Sequence, residues 1–128
     1  MCIRDSDTSA WPVVRGTSLH PPGTARTATG NGTAVQVGAV ASGRQMYAAL
    51  HVLSVSGTAT PTLTVKVQSD TVGFGSATDQ ITFTAATAVG GQISRVAGPI
   101  TDDYWRASWT ISGTNPSFLF VVVVGTAV

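Results

Sequence analysis

The sequence predicts an all-β protein: an antiparallel two-sheet β-sandwich, jelly-roll-like, with about eight strands. Turn-forming residues recur at short intervals from Trp11 onward, and apolar residues alternate with polar ones in several segments between them. No segment repeats apolar residues at helical spacing between helix caps. With 128 residues, of which 43% are hydrophobic and 10% charged, the chain fits one domain with a sizeable core.

The start of the chain is set apart from the predicted domain. Residues 1–10 are interpreted as an assembly scar or a disordered end, because the first six residues look like a translated sequencing adapter; a genuine short N-terminus is the alternative. On the first interpretation the chain is an N-terminally truncated metagenomic fragment. Residues 11–24 are expected to form a linker or junction, and residues 25–128 the β-sandwich domain.

Local sequence patterns predict the structure of two segments in the first half of the sequence. Residues 26–37 are predicted to form a β-hairpin, because Asn31-Gly32 is a strong signal for a tight turn between strands. Residues 46–55 compete as a helix, but their β-branched content and the glycines that flank them favour a strand.

Alternation assigns the core. Side chains two residues apart on a strand share a face, so one face of each alternating segment is expected to be buried and the other wet. The predicted core residues are Leu63, Val65, Val67, Ile81, Phe83, Trp105, Trp109 and Ile111.

Two segments are apolar at nearly every position, namely Leu50 to Leu53 and Phe118 to Val124. Such runs indicate strands that are covered on both faces. One face is expected to meet the core. The other is expected to meet a neighbouring domain or another subunit, or else to lie beneath a loop of the same chain. The longer run is far too short to span a bilayer, so no membrane insertion is expected.

Charge and cysteine content exclude several classes of function. The formal net charge is +1 and the basic residues are scattered, whereas nucleic-acid binding requires a clustered basic surface. The single cysteine, Cys2, can form neither an internal disulfide nor a metal cluster.

The titratable residues do not form a recognisable catalytic set. Asp102 and Asp103 are adjacent before a strand and are interpreted as turn and strand-entry residues. Asp70 and Asp79 flank a glycine-rich loop, but they offer too few carboxylates for a calcium site to be expected.

The two histidines, His20 and His51, form no zinc motif. His51 shares a face with Tyr47, Ala49 and Leu53 and is predicted to be a core or interface histidine. We therefore expect no enzyme activity, no catalytic residues, no cofactor and no metal.

The most distinctive local feature is the segment from Tyr104 to Trp109. Tyr104, Arg106 and Ser108 share one face and are the candidate residues for contacting a protein partner or a glycan, since an aromatic ring beside an arginine suits both. In the simpler interpretation the tryptophans are core anchors and Arg106 pairs with Asp102 or Asp103.

Several segments together resemble a known module. They are Leu50 to Thr58, Thr64 to Asp70, Ile81 to Thr84, Ile100 to Arg106, Ile111 to Gly113 and Pro116 to Phe118. These segments resemble the C-terminal β-sandwich of tail-tube-type structural proteins of tailed bacteriophages, and Val13 to Thr17 is similar to the junction after the upstream domain.

The resemblance implies a virion structural protein located in the phage tail, which mediates subunit packing or surface decoration. Its partners would be other copies of itself, in a homo-oligomeric ring or tube, and other virion proteins. No active-site residue is transferred by the resemblance. The alternative is a carbohydrate-binding β-sandwich that recognises host surface glycans through Tyr104, Arg106 and Trp11, and a small hydrolase is a third, weaker hypothesis.

Overall fold

A computed structural model describes residues 16–21, 23–71 and 74–127, and all regular structure in these ranges is β-strand. The strands are β1 (Thr17–His20), β2 (Gly30–Asn31), β3 (Val35–Gln36), β4 (Gln45–Asp70), β5 (Thr78–Thr82), β6 (Gly90–Ala97) and β7 (Tyr104–Ala127). The all-β prediction is confirmed, and so is the strand over residues 46–55. The interpretations of residues 1–10 and of Trp11 lie outside the described residues.

Two long strands organise the sheet. β4 and β7 pair in antiparallel fashion along their length, from Gln45 opposite Ala127 to Asp70 opposite Tyr104. β6 and β5 pair with the free side of β4, while β1, β2 and β3 pair with the free side of β7. The result is a nearly closed antiparallel sheet of seven strands.

Both long strands bend sharply at their middle. The rings of Trp109 and Phe120 lie 5.5 Å apart in β7, although eleven residues of straight strand would separate them by about 36 Å. At the bend Gly57 and Gly113 have φ of 124° and 119°, values that favour glycine. The turn-forming residues Ser56-Gly57 and Ser112 to Pro116 therefore lie at corners within β4 and β7, and the described residues form seven strands where about eight were expected.

The bend divides the sheet into two halves. The first half contains β1, β6, residues 45–55 of β4 and residues 118–127 of β7. The second half contains β2, β3, β5, residues 62–70 of β4 and residues 104–112 of β7. Register shifts between Val52 and Thr62 change which residues of β4 face inward, from even-numbered ones in the first half to odd-numbered ones in the second.

A single hydrophobic core joins the two halves. The first half contributes Met46, Leu50, Phe118, Phe120 and Val122, all with no exposed surface. Among the residues assigned to the core from the sequence, the structure buries Leu63, Val65, Val67, Ile81, Phe83, Trp105 and Trp109, and leaves Ile111 partly buried.

Both buried tryptophans also satisfy their polar atoms. The Trp105 Nε1 donates to the Gly38 carbonyl at 2.9 Å, and the Trp109 Nε1 donates to the Ala28 carbonyl at 3.0 Å. These bonds fix the segment that contains β2 and β3 along the edge of β7.

The predicted hairpin over residues 26–37 is wrong. β2 and β3 both run antiparallel to β7 and follow one another along the same edge, opposite Trp109 and Trp105. The Gly32 amide continues this ladder by donating to the Ala107 carbonyl at 2.7 Å. Pairing with the long strand thus overrides the local preference of Asn31-Gly32 for a tight turn.

The segment assigned as a junction takes part in the sheet. Thr17–His20, within residues 11–24, form β1 and pair with Val122 to Val124 of β7. Leu19 and His20 of this strand are buried, so the sheet begins before residue 25.

Candidate functional site

The outward surface of the first half is mostly apolar. Ile93 of β6 is 77% exposed and Leu53 of β4 is 48% exposed. Ala49 of β4 lies between these strands of the sheet: it is opposite Ile93 of β6 on one side and opposite Val123 of β7 on the other. We call this surface the apolar outer face; it comprises Ala49, Leu53, Ile93, Leu119, Val121 and Val123.

His51 and Tyr47 add polar edges to this face. His51 is exposed and lies opposite Gly91 and Val121, while Tyr47 lies opposite Arg95 and Gly125. A Cβ placed on Gly91 would lie 3.0 Å from the Nδ1 of His51, so the imidazole sits directly over this glycine. His51 is therefore a surface histidine, and the prediction of a core position for it is wrong.

Within the described residues, only the inward face of the two apolar runs is fully covered. Leu50, Val52, Phe118, Phe120, Val122 and Val124 point into the core. The residues between them point outward, and Leu53 is exposed whereas Leu119, Val121 and Val123 are partly buried. The exposure of Leu53 contradicts, for the run Leu50 to Leu53, the alternative in which a loop among the described residues covers the outward side.

The outward surface of the second half is polar and internally hydrogen-bonded. The Lys66 Nζ donates to the Asp79 Oδ2 at 2.9 Å, and the Gln68 Nε2 donates to the Asp79 Oδ1 at 2.7 Å. These two hydrogen bonds hold the pKa of Asp79 below its usual value. We call this surface the polar outer face; it comprises Thr64, Lys66, Gln68, Asp79, Tyr104, Arg106, Ser108 and Thr110.

The candidate contact residues Tyr104, Arg106 and Ser108 lie on the polar outer face and are partly buried. The Arg106 Nε donates to the Gln68 Oε1 at 2.9 Å, and the guanidinium carbon lies 4.4 Å from the centre of the Phe74 ring. The expectation that Arg106 pairs with Asp102 or Asp103 is wrong, because the residue directly opposite Arg106 in the ladder is Gln68.

Asp102 and Asp103 have separate partners. The Ser69 Oγ donates to the Asp102 Oδ2 at 2.8 Å, and the Gln36 Nε2 donates to the Asp103 Oδ2 at 3.0 Å. The two carboxylates thus fasten the chain just before β7 to β4 and to β3.

The Asp70 carboxylate organises the loop after β4. It accepts hydrogen bonds from the amides of Thr71 and Ser76, each at 2.7 Å, and these bonds hold the pKa of Asp70 below its usual value. The Asp70 and Asp79 carboxylates therefore accept hydrogen bonds from different groups. In the described ranges, no three His, Cys, Asp or Glu side chains are grouped to hold a metal ion.

His20 is buried in an aromatic cluster that the sequence did not reveal. Its ring stacks on Phe120 at 4.4 Å and tilts against Trp109 at 4.7 Å. The Nε2 has no hydrogen-bond partner among the described residues. Burial, with a contribution from the nearby Arg26, lowers the pKa of His20 to about 4, so the ring is neutral at pH 7.

A shallow cleft opens where the two halves meet beside β6. It has a volume of about 210 Å³ and is lined mainly by Leu50, Val52, Ala86, Ala88 and glycines of β6. Ligand pockets usually measure about 300–1,000 Å³ and present converging polar groups. The cleft is smaller and mostly apolar, so it offers little chemistry for a reaction.

Sequence reasoning missed His20, Ile93 and Val89, the last of which is 65% exposed. His20 was missed because β1 lies in the segment assigned as a junction. In β6 the apolar residues Ile93 and Val96 occupy opposite faces, so no clean alternation marked the strand.

The chain was also compared with known proteins. No protein-family model, no curated protein and no solved structure matches it. Within residues 16–21, 23–71 and 74–127, no helix is long and apolar enough to cross a membrane.

Proposed function

We propose that the chain is a structural module of a bacteriophage tail, which assembles by packing its apolar outer face against other subunits. The observation that carries the packing role is the exposure of Ile93 and Leu53 on a sheet surface that continues through the partly buried Val121 and Val123. The tail assignment rests on the resemblance of the sequence segments to tail modules.

The composition of this surface favours a protein partner. Leu53, Val121, Val123 and Ile93 carry no charge, so burying them costs no ion desolvation. Burying apolar surface contributes roughly 25 cal/mol per Å². Exposed contiguous apolar patches on soluble proteins commonly mark interaction sites.

For the fold, we propose that the two halves are the two layers of a jelly-roll-like β-sandwich. Trp109 of the second half and Phe120 of the first half meet at 5.5 Å inside one core, as two facing layers would require. The bend in β4 and β7 then carries both strands from one layer to the other.

The carbohydrate-binding alternative finds less support in the contacts. Arg106 is already bonded to Gln68 and stacked near Phe74, and Tyr104 is partly buried. A glycan would have to compete with these contacts. No small-molecule chemistry is assigned to the cleft beside β6.

The test is the assembly state of the full chain by light scattering over a wide concentration range. Wild-type protein is expected to form species larger than a monomer, and the double variant Val121→Thr/Val123→Thr is expected to shift them toward monomer. Ser108→Ala on the polar outer face is the matched control and should behave as wild type.

A clean monomer at millimolar concentration would overturn the packing role. Selective glycan binding that is lost in Tyr104→Ala and Arg106→Ala would favour the carbohydrate-binding alternative. For the tail assignment, terminase, capsid and tape-measure genes beside the coding sequence are expected, and a neighbourhood of metabolic genes would count against it.

A further inference from the structure

β6 is an edge strand with one unpaired side. In the described part of the chain its only strand partner is β4, with Gln45 opposite Ala97 at one end and Val52 opposite Gly90 at the other. An exposed edge is a template for pairing with another strand.

The backbone groups on the unpaired side of β6 belong to alternate residues of the strand. The Gly98 amide donates to the Arg44 carbonyl at 2.8 Å, which continues the β4–β6 register by one residue. Hydrogen-bonded pairs alternate along an antiparallel ladder. The backbone N–H and C=O groups of Ile93, Arg95 and Ala97 therefore point away from β4.

The same stretch carries the most exposed large apolar side chains of the described residues. Ile93 is 77% exposed, and Val89, just before the strand, is 65% exposed. The inner side of β6 is tied to the chain leading to it, because the Gln92 side chain exchanges two hydrogen bonds, at 2.8 and 2.9 Å, with the Thr84 backbone. The strand thus presents its free edge and its outer face from a fixed position.

We propose that β6 pairs antiparallel with β6 of a second copy of this chain, with Ile93 opposite Ile93 at a two-fold axis. This inference rests on the proposed assembly role and names one contact surface for it. Two-fold interfaces are self-complementary, so one strand can serve as both partners. The paired edges would join two apolar outer faces into one continuous surface.

Side-chain pairing favours this register over those reached by sliding either copy toward Arg95. With Ile93 opposite Ile93, the strand's single charged residue, Arg95, lies opposite Gly91, and Ala97 lies opposite Val89. Sliding one copy by two residues places Ile93 opposite Arg95, and sliding it by four places Arg95 opposite Arg95. Like charges directly opposite one another destabilise a strand pair, whereas apolar pairs stabilise it.

Cysteine crosslinking tests the register in the full chain with Cys2→Ser as background. Ile93→Cys places two thiols opposite one another, at a Cα separation of about 5.5 Å that a disulfide tolerates. It is expected to form a covalent dimer on mild oxidation. Ala97→Cys is the matched control and should form no covalent dimer under the same conditions, because Val89 of the second copy lies opposite it.

Ile93→Pro tests the edge itself. Proline removes the outward N–H and the isoleucine side chain, and the β4–β6 hydrogen bonds are kept because that N–H does not take part in them. The dimer dissociation constant is expected to rise about 10-fold or more. Ile93→Val keeps both the backbone N–H and the apolar contact, so its dimer dissociation constant should match that of wild type. Ile93→Thr keeps the N–H but loses apolar contact, so it should weaken the dimer less than Ile93→Pro does.

The outcomes separate this inference from the proposed function. Association that gives no crosslink in the Ile93→Cys variant, and that Ile93→Pro leaves unchanged, would overturn the β6 pairing and leave the packing role standing. A monomer at every concentration would overturn both. Circular dichroism of each variant confirms that the sheet is formed before its association is compared.

Discussion

The two outer faces of this sheet are built from the same two strands and differ in charge. Among strand residues, the first half has one charged side chain, Arg95, whereas the second half has four, namely Lys66, Asp70, Asp79 and Arg106. On the second half Lys66 and Asp79 bond to each other, and Arg106 bonds to Gln68. On the first half, the outward positions hold valines and an isoleucine, whose side chains have no hydrogen-bonding groups.

The inner sides of the halves do not differ in this way. One core contains Phe120 and Val122 of the first half together with Trp109 and Val65 of the second. The contrast outside is therefore a matter of which residues occupy the outward positions of β4 and β7. A strand that bends between two halves of a sheet can keep its buried side uniform and still give each half a different outer surface.

Phe120→Ala is expected to have the largest effect on stability, because the ring is fully buried where the halves meet. Removing a buried phenylalanine typically costs about 3–5 kcal/mol. Both halves should lose structure in one transition, followed in thermal unfolding by tryptophan fluorescence and far-ultraviolet circular dichroism. Two separate transitions would show that the two halves of the sheet unfold independently of one another.

His20 makes the joint between the halves sensitive to acid. Its pKa is lowered from 6.5 to about 4 in the folded chain, so the unfolded chain binds more protons between these values. The free energy of unfolding is therefore expected to fall as the pH drops from about 6.5 to about 4, by up to about 3 kcal/mol. Arg26 is the charged residue beside this cluster, with its guanidinium carbon 5.3 Å from the centre of the Trp109 ring.

His20→Phe should remove this pH dependence and keep the stacking on Phe120. At pH 7 the variant is expected to be as stable as wild type or more so, since it no longer buries an unpaired nitrogen. Urea unfolding at several values between pH 4 and pH 7 measures the effect. The lowered pKa values of Asp70 and Asp79 act at lower pH, where protonating them removes stability, and both proteins share that loss. A pH dependence in His20→Phe equal to that of wild type would rule out His20 as its source.

The second half was easier to predict from the sequence than the first, for a physical reason. In β4, the outward residues Thr62, Thr64 and Lys66 alternate with the buried residues Leu63 and Val65, so polarity alone marks the two faces. In the first half the outward positions also hold apolar residues. A run such as Phe118 to Val124 then looks covered on both faces, and only the three-dimensional structure shows which side is outside.

Long-range pairing explains the remaining differences. Asn31-Gly32 predicts a hairpin locally, yet its neighbours gain more by pairing with β7. Ser56-Gly57 predicts a strand end, but β4 continues through the corner because β7 bends beside it. The aromatic cluster around His20 brings together residues separated by about a hundred positions, and no local pattern encodes that contact.

The smallest expected effect concerns the ion pair of the polar outer face. Lys66 and Asp79 are 38% and 43% exposed, and exposed pairs contribute less than about 1 kcal/mol. A double-mutant cycle of Lys66→Ala and Asp79→Ala in urea unfolding should give a coupling energy below that value, which declines further with added salt. Asp79→Ala should cost more than Lys66→Ala, because it also removes the acceptor for Gln68. A salt-insensitive coupling of several kcal/mol would mean that the polar outer face stabilises the fold as strongly as the core does, and the contrast between the faces would then be one of stability as well as of assembly.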